Sequence, residues 1–313
     1  MITVEKNVLL NNKVWFQTGG NAQYFFKATT IEEVIECVAF AKKNNIAITV
    51  LGLGANVLIS DEGIEGLVMQ ISINTIKHTV ENDFVRVEAG AGVTIENLIT
   101  YCLDNTILGL EEFSGIPSTV GGAIYINLHY FQFLISQFVD CATVYDLENN
   151  KIIKVDSEWF DFKYDHSKLF ERKHILLSAQ FKLKQCSQIE AAYSRGRSHE
   201  IIRHRKQRYP YSGTCGSFFR NFLPEEVTIE SNGKKMIYAA YYLDKVGVKG
   251  SLKIGGAAVS YQHANMIVNV GNAKSADIIA VAREMQMRVY HQFGIVLKPE
   301  CELLGFKDYP LMQ

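Results

Sequence analysis

Two glycine-bearing stretches carry residue types that hold phosphate. An apolar run at 46–51 stops abruptly at Gly52-Leu53-Gly54-Ala55-Asn56, and a second apolar run, Val57-Leu58-Ile59, follows at once. The segment reads strand, small-residue turn, strand. Glycines let a backbone turn tightly and leave no Cβ between its N–H groups and a ligand. Consecutive N–H groups in such a turn form a nest that cradles a phosphate. A dinucleotide fingerprint needs a third glycine and then a helix. Here the third glycine position is Val57 and a strand-like run follows, so that reading fails. On spacing alone an ordinary hairpin turn competes equally with a ligand loop. The second stretch, Gly115-Ile116-Pro117-Ser118-Thr119-Val120-Gly121-Gly122-Ala123, shifts the balance toward the ligand loop.

Elements must position these loops. Thr30 with Glu33 three residues on forms a capping box. Ile31, Val34, Ile35 and Val38 behind it give one face of a helix. A strand at 84–88 leads to Thr94, the cap of a second helix with Ile95, Leu98, Ile99, Cys102 and Leu103 as its buried stripe. Runs at 139–145 and 151–155 flank Glu148-Asn149-Asn150 as a hairpin, and 175–184 reads as a further strand. Near residue 185 the composition changes. The C-terminal part contains Gly213–Asn221, His263–Asn269 and a helix from about Ser275 to Gln292, with Ser275 as N-cap and Gly294 as C-cap. Ile278, Ala282, Met285 and Val289 share its apolar face, and residues 295–297 read as a final strand.

Composition bounds the function. The 313 residues suffice for two domains, and 48% hydrophobic with 21% charged residues is ordinary for a globular chain. A net charge of −1 gives no overall field for nucleic acid. The N-terminus lacks a basic region followed by an apolar core, so no signal peptide is expected. No apolar run approaches the ~20 residues of a membrane span. Six cysteines without C-x-x-C spacing point to neither a zinc site nor a disulfide framework, and to a reducing cytoplasm. Residues 194–208 carry six Lys/Arg. The favoured reading is a solvated basic helix joining two domains. The alternative is that one or two of these cations face an anionic substrate.

Taken together, L-G-L-G-A-N with the following S-D-E-G, then G-L-E and G-I-P-S-T-V-G-G-A, resemble the UDP-N-acetylenolpyruvoylglucosamine reductase family, flavoenzymes of bacterial peptidoglycan synthesis. The resemblance runs from about residue 16 to 306. It implies an α+β fold: a FAD-binding domain of the vanillyl-alcohol-oxidase (PCMH) type over 1–190, in subdomains of about 1–78 and 79–190. An α+β substrate domain over 195–313 completes it. It implies FAD held by Gly52, Leu53, Gly54, Ala55, Asn56, Gly115, Ile116, Ser118, Thr119, Gly121, Gly122 and Ala123. It also implies a cytoplasmic, NADPH-driven oxidoreductase of cell-wall biogenesis, tied to cell shape and division, acting on a nucleotide-sugar.

The implied reaction has two steps. NADPH reduces bound FAD, and hydride then passes to the enolpyruvyl double bond of UDP-N-acetylglucosamine enolpyruvate. The other carbon becomes a carbanion conjugated with a carboxylate, which needs electrostatic stabilisation and a proton donor. By resemblance Ser217 is the acid, Glu300 the carboxylate near the developing charge and Asn221 a substrate-binding amide. Several positions depart from the family pattern. Asp165 stands where an arginine is expected, in Tyr164-Asp165-His166-Ser167. A carboxylate there would repel the substrate unless it orients a cation such as Lys163, Lys168 or Arg172. Residues 127–131, Asn-Leu-His-Tyr-Phe, replace a glycine-containing loop with bulk, and Lys298 replaces a carboxylate. Asp165 and the 127–131 loop favour one alternative, a flavin oxidoreductase on the same scaffold with another substrate; a catalytically silent flavin or nucleotide-sugar binder is the other, and the joint presence of Ser217, Asn221 and Glu300 favours an enzyme over it.

Overall fold

The structure, a computed structural model, describes residues 2–313. Packing divides the chain into two compact units interleaved along the sequence. Residues up to Lys6, 24–53 and 66–205 form the first, and 7–23, 54–65 and 206–313 form the second.

The first unit is built around its own apolar core, which includes Val34, Leu67, Val87, Leu98, Phe113 and Phe181. Helix α1 (Ile31–Lys43) starts at the expected box. The Thr30 hydroxyl accepts from Glu33 N–H at 3.2 Å, and the Glu33 carboxylate accepts from Thr30 N–H at 3.3 Å. Two donors that no helical turn can satisfy are thereby paired. Helix α2 (Ile95–Asp104) is capped by Thr94, whose hydroxyl accepts from Asn97 N–H at 3.2 Å, and it buries the five residues of the expected stripe. Both helices are followed in sequence by strands of this unit. An antiparallel sheet runs in the order Lys151–Asp156, Val139–Asp146, His174–Gln185, Val85–Gly90, Ile76–Val80. The 148–150 hairpin is present: the Asp146 carboxylate accepts from the N–H groups of Glu148 and Asn149 at 2.9 and 3.0 Å. Two further helices are α3 (Val120–Tyr125) and α4 (Gln188–Arg208).

The hairpin reading of residues 48–59 does not hold. Strand Ile48–Leu51 pairs in parallel with Ile64–Ile71, whereas Val57–Ile59 pairs in parallel with Glu302–Leu304. The two strands flanking Gly52–Asn56 therefore have different partners, and the turn between them is not closed by a ladder.

The second unit has a separate core around Phe218, Phe219, Tyr242, Leu243 and Met285. It contains α5 (Ala239–Lys245), α6 (Ser275–Phe293) and a three-stranded antiparallel sheet, Lys253–Ile254, Ala257–Val259, Ile267–Asn269. Ile278, Ala282, Met285 and Val289 of α6 are fully buried, as their spacing predicts. Gly294 ends the helix at φ +68°, a conformation glycine adopts without steric cost. Its start differs from expectation. Lys274, not Ser275, is the N-cap residue. The Asp61 carboxylate accepts from the N–H groups of Ser275 and Ala276 at 2.8 and 3.1 Å, and Asp277 accepts from Lys274 N–H at 3.0 Å. Carboxylates satisfy the first turn and suit its positive dipole end better than a hydroxyl. Residues 295–297 are likewise not a strand: the Leu297 carbonyl accepts from Gln286 Nε2 at 2.7 Å, and the last strand is Glu302–Leu304.

Candidate active site

The first group of site residues surrounds the two glycine stretches. The sequence reads 115–123 as a loop, but its second half is helix α3. Val and two glycines are poor helix formers, so external bonds make the helix. Thr119 caps it by accepting from Gly122 N–H at 3.1 Å, while Val120 and Gly121 N–H donate to the carbonyls of Val93 and Ala91 at 2.8 and 2.9 Å. Thr119 also bridges to Thr94, so the caps of α2 and α3 stand side by side. Gly52 lies against this cap: a Cβ there would sit 2.6 Å from the Thr119 hydroxyl oxygen. Gly54 has φ +67°, and a Cβ would fall 2.5 Å from the Lys13 carbonyl. Both positions admit only glycine.

This loop keeps its donors free. The carbonyls of Gly52 and Gly54 accept from Gln70 Nε2 and Trp15 N–H, both at 3.0 Å. The N–H groups of Leu53, Gly54, Ala55 and Asn56 have no protein acceptor among the described residues. Asn56 Oδ1 is buried without a partner, and Asn56 Nδ2 donates to the Glu300 carbonyl at 3.3 Å. Buried polar groups are nearly always paired. Successive open donors with an orphaned acceptor beside them are what a phosphate-bearing ligand with hydroxyl groups would complete. These residues fit FAD. In the other loop, Ser118 is buried with its hydroxyl on the Thr119 carbonyl, and Gly115 turns at φ +74°.

The second group brings Ser217 and Glu300 onto neighbouring antiparallel segments. Phe219 bridges to Pro299, Glu300 N–H donates to Phe218 O at 2.9 Å, and Arg220 N–H donates to Lys298 O at 3.0 Å. The Ser217 segment is clamped from behind. Asn265, 2% exposed, accepts from Phe219 N–H at 3.1 Å, donates to Phe219 O at 2.6 Å and accepts from Phe218 N–H on its own carbonyl at 2.8 Å. No sequence signal marks Asn265. The Ser217 hydroxyl forms no hydrogen bond among the described residues, so it is open to a ligand. Asn221 uses its amide oxygen to accept from Ala239 N–H at 3.2 Å, which leaves its NH2 as a donor. Two thiols lie nearby, but burial pushes that of Cys301 well up beside Cys215, which argues against a cysteine nucleophile.

Lys298, the departure before Pro299, is tied down. Arg220 forks onto Glu226 at 2.7 and 2.8 Å and Lys298 Nζ adds a third bond at 2.8 Å. The Arg220 guanidinium above all, then Lys298 and Leu223 N–H, hold the Glu226 carboxyl down to about 2.

Asp165 differs from expectation. Lys163 binds Asp161 at 2.7 Å, and Lys168 sits 4.8 Å over the Trp159 ring. Asp165 instead meets His129, with Nδ1 3.1 Å from Oδ1. The basic run is a largely exposed helix, as read, and its arginines carry surface ion pairs. Arg197 forks onto Glu112 at 3.1 Å, Arg195 meets Asp104 at 2.7 Å and Arg203 meets Glu200 at 2.6 Å. Arg205 lies 5.3 Å over the Tyr130 ring and donates to Gly115 O at 3.3 Å.

The open loop donors suit a phosphate-bearing cofactor such as FAD, and helices and strands mix in both units. Residues 22–156 match the FAD binding domain family model. Residues 207–304 match that of the UDP-N-acetylenolpyruvoylglucosamine reductase C-terminal domain. The UDP-N-acetylenolpyruvoylglucosamine reductase of Caldicellulosiruptor saccharolyticus is 32% identical over 98% of this chain and 94% of its own length. That of Clostridium novyi is 31% identical over 96% and 92%. The crystal structure of UDP-N-acetylenolpyruvylglucosamine reductase from Thermus caldophilus aligns with a TM-score of 0.75 at 26% identity, covering 97% of this chain and 100% of that one. The chain belongs to the UDP-N-acetylenolpyruvoylglucosamine reductase family. Among the described residues no helix is long and apolar enough to cross a membrane.

Proposed function

We propose that this chain reduces UDP-N-acetylglucosamine enolpyruvate to UDP-N-acetylmuramate for peptidoglycan synthesis in the cytoplasm, with NADPH as reductant. Bound FAD supplies the hydride relay from NADPH to the enolpyruvyl double bond. Residues 1–190 serve the cofactor and 195–313 the substrate. The N–H groups of 53–56 and the 115–123 stretch hold the cofactor's phosphates and hydroxyls.

Ser217 gives its hydroxyl proton to the substrate carbanion. A serine hydroxyl is a weak acid, so it protonates only a strongly basic centre where water is excluded. Phe218 and Phe219 directly after it are fully buried and anchor the segment in the core. Glu300 acts at the carboxylate end of the substrate, and the Asn221 amide donates to the nucleotide-sugar. The observation that carries this reading is the backbone bond from Glu300 N–H to Phe218 O at 2.9 Å, which supports a joint role for Ser217 and Glu300. The test is NADPH consumption that depends on added enolpyruvyl nucleotide, with UDP-N-acetylmuramate identified by mass. NADPH oxidation that ignores the nucleotide would favour a flavin enzyme with another substrate.

A further inference from the structure

We propose that Asn56 is a positioning residue: its side-chain amide couples cofactor in the 52–56 loop to the placement of Glu300. The inference rests on the FAD-dependent reduction proposed above.

Asn56 closes the glycine turn and leads into strand Val57–Ile59. That strand pairs in parallel with Glu302–Leu304, with Val57 opposite Glu302. Asn56 holds the partner segment twice. Its carbonyl accepts from Glu302 N–H at 3.0 Å, and its Nδ2 donates to the Glu300 carbonyl at 3.3 Å. On the other side Glu300 N–H donates to Phe218 O at 2.9 Å, and Cys301 N–H reaches the same oxygen at 3.3 Å. The backbone of Glu300 is therefore gripped from two directions. The Phe218 grip is made by main-chain groups alone, so it survives substitution. The Asn56 grip on the carbonyl is made by one side chain, so the residue at 56 decides it. All of these residues belong to the second compact unit, and Leu58 and Cys301 root the two segments in its core.

The chemistry of the amide makes this grip conditional on a ligand. A carbonyl oxygen only accepts, so the NH2 end must face Glu300 and Oδ1 is left over. Oδ1 is buried and has no partner among the described residues. Native proteins rarely leave a buried acceptor in that state. A brace between two segments needs no such spare acceptor; a residue that also reads a ligand does. The missing partner must be a donor. Phosphate oxygens accept and suit the open N–H groups of the loop, whereas a hydroxyl or N–H of the same cofactor suits Oδ1. The amide is planar, so holding Oδ1 also holds the direction of Nδ2. Cofactor in the loop thereby tightens the bond to Glu300. By linkage, whatever orders Glu300 favours cofactor binding by the same factor.

The test uses the flavin-loaded full chain and the same protein after flavin removal, as wild type, Asn56→Ala, Asn56→Ser and Gln70→Ala. Gln70 Nε2 donates to Gly52 O at 3.0 Å, so its loss loosens the loop without touching Glu300. The first measurement is amide hydrogen exchange across residues 298–304, with α6 as the reference that the unit stays folded. FAD should slow exchange there by about tenfold in wild type, within the ordinary range of coupling between sites. The slowing should persist in Gln70→Ala. It should vanish in both Asn56 variants, although they still saturate with FAD at about tenfold weaker affinity. In stopped flow without oxygen, the saturated Asn56 variants should bleach with NADPH within about twofold of wild type and be reoxidised by the enolpyruvyl nucleotide about tenfold more slowly. If Asn56→Ala fails to fold, Asn56→Ser decides, since its hydroxyl is too short to span loop and carbonyl. Several results overturn the inference: no effect of FAD on 298–304 in wild type, wild-type slowing in a saturated Asn56 variant, loss of the slowing in Gln70→Ala as well, no FAD uptake by either Asn56 variant, or equal slowing of both half-reactions. Exchange needs no substrate. If FAD slows 298–304 only where Asn56 is present, yet the nucleotide fails to reoxidise wild type, the coupling stands and the failure belongs to the proposed function.

Discussion

Glu300 N–H donates to Phe218 O at 2.9 Å, and this bond registers the segment bearing the proposed acid, Ser217, against the segment bearing the proposed carboxylate. The two arrive from distant parts of the chain. Their pairing is made by backbone groups, so it survives changes of either side chain, and substitutions at 217 and 300 report on chemistry.

Ser217→Ala should spare flavin reduction by NADPH and arrest the second half-reaction. The first step needs a hydride and no proton from serine. The second needs a general acid, worth roughly 10²–10⁴-fold. Stopped-flow absorbance is expected to show normal bleaching and very slow recolouring. Equal slowing of both phases would make Ser217 structural.

Asn265→Ala should lower stability and damage the same step. The side chain satisfies both backbone groups of buried Phe219. Leaving each unpaired costs about 1–3 kcal/mol. Thermal unfolding should fall measurably, and reoxidation should slow because the Ser217 segment loses its clamp. A wild-type melting temperature would show that water replaces the amide.

The flavin should be non-covalent, because neither glycine loop contains a histidine or cysteine for attachment. Heat-precipitated protein should release all its yellow colour into the supernatant. Gly52→Val should purify with little flavin, since its Cβ would meet the Thr119 oxygen at 2.6 Å. Full flavin content in that variant would remove loop 52–56 from the cofactor site.

Glu226 predicts an acid transition. Its carboxyl is held from the ordinary 4.5 down to about 2, chiefly by the Arg220 fork. A depressed carboxyl contributes stability that is present above the ordinary value and is lost as pH falls through the folded one. Denaturation midpoints should therefore drop between about pH 4.5 and 2, and Glu226→Gln should flatten that slope while lowering stability at neutral pH. An unchanged slope would assign the acid transition to other carboxylates.

Local signals explain what was legible in the sequence. The Thr30–Glu33 box, the Thr94 cap and the apolar stripe of α6 each lie within one helix and its cap, and the chain forms them as read. Helix α3 was not legible, because Val120-Gly121-Gly122 is helical only through bonds to Ala91 and Val93. Ser275 was misread as a cap because the real one comes from Asp61, 214 residues earlier. In the site, the glycine loops are legible as a pair and through the family resemblance, since spacing alone leaves the first equally readable as a hairpin turn. Asn265 and the His129–Asp165 contact join segments that only folding brings together.

The most direct measurement is an anaerobic single turnover. The purified flavoprotein is bleached with one equivalent of NADPH and mixed with UDP-N-acetylglucosamine enolpyruvate while the flavin absorbance is followed. The account predicts full recolouring with stoichiometric UDP-N-acetylmuramate. A bleached flavin that stays bleached until air is admitted would contradict it.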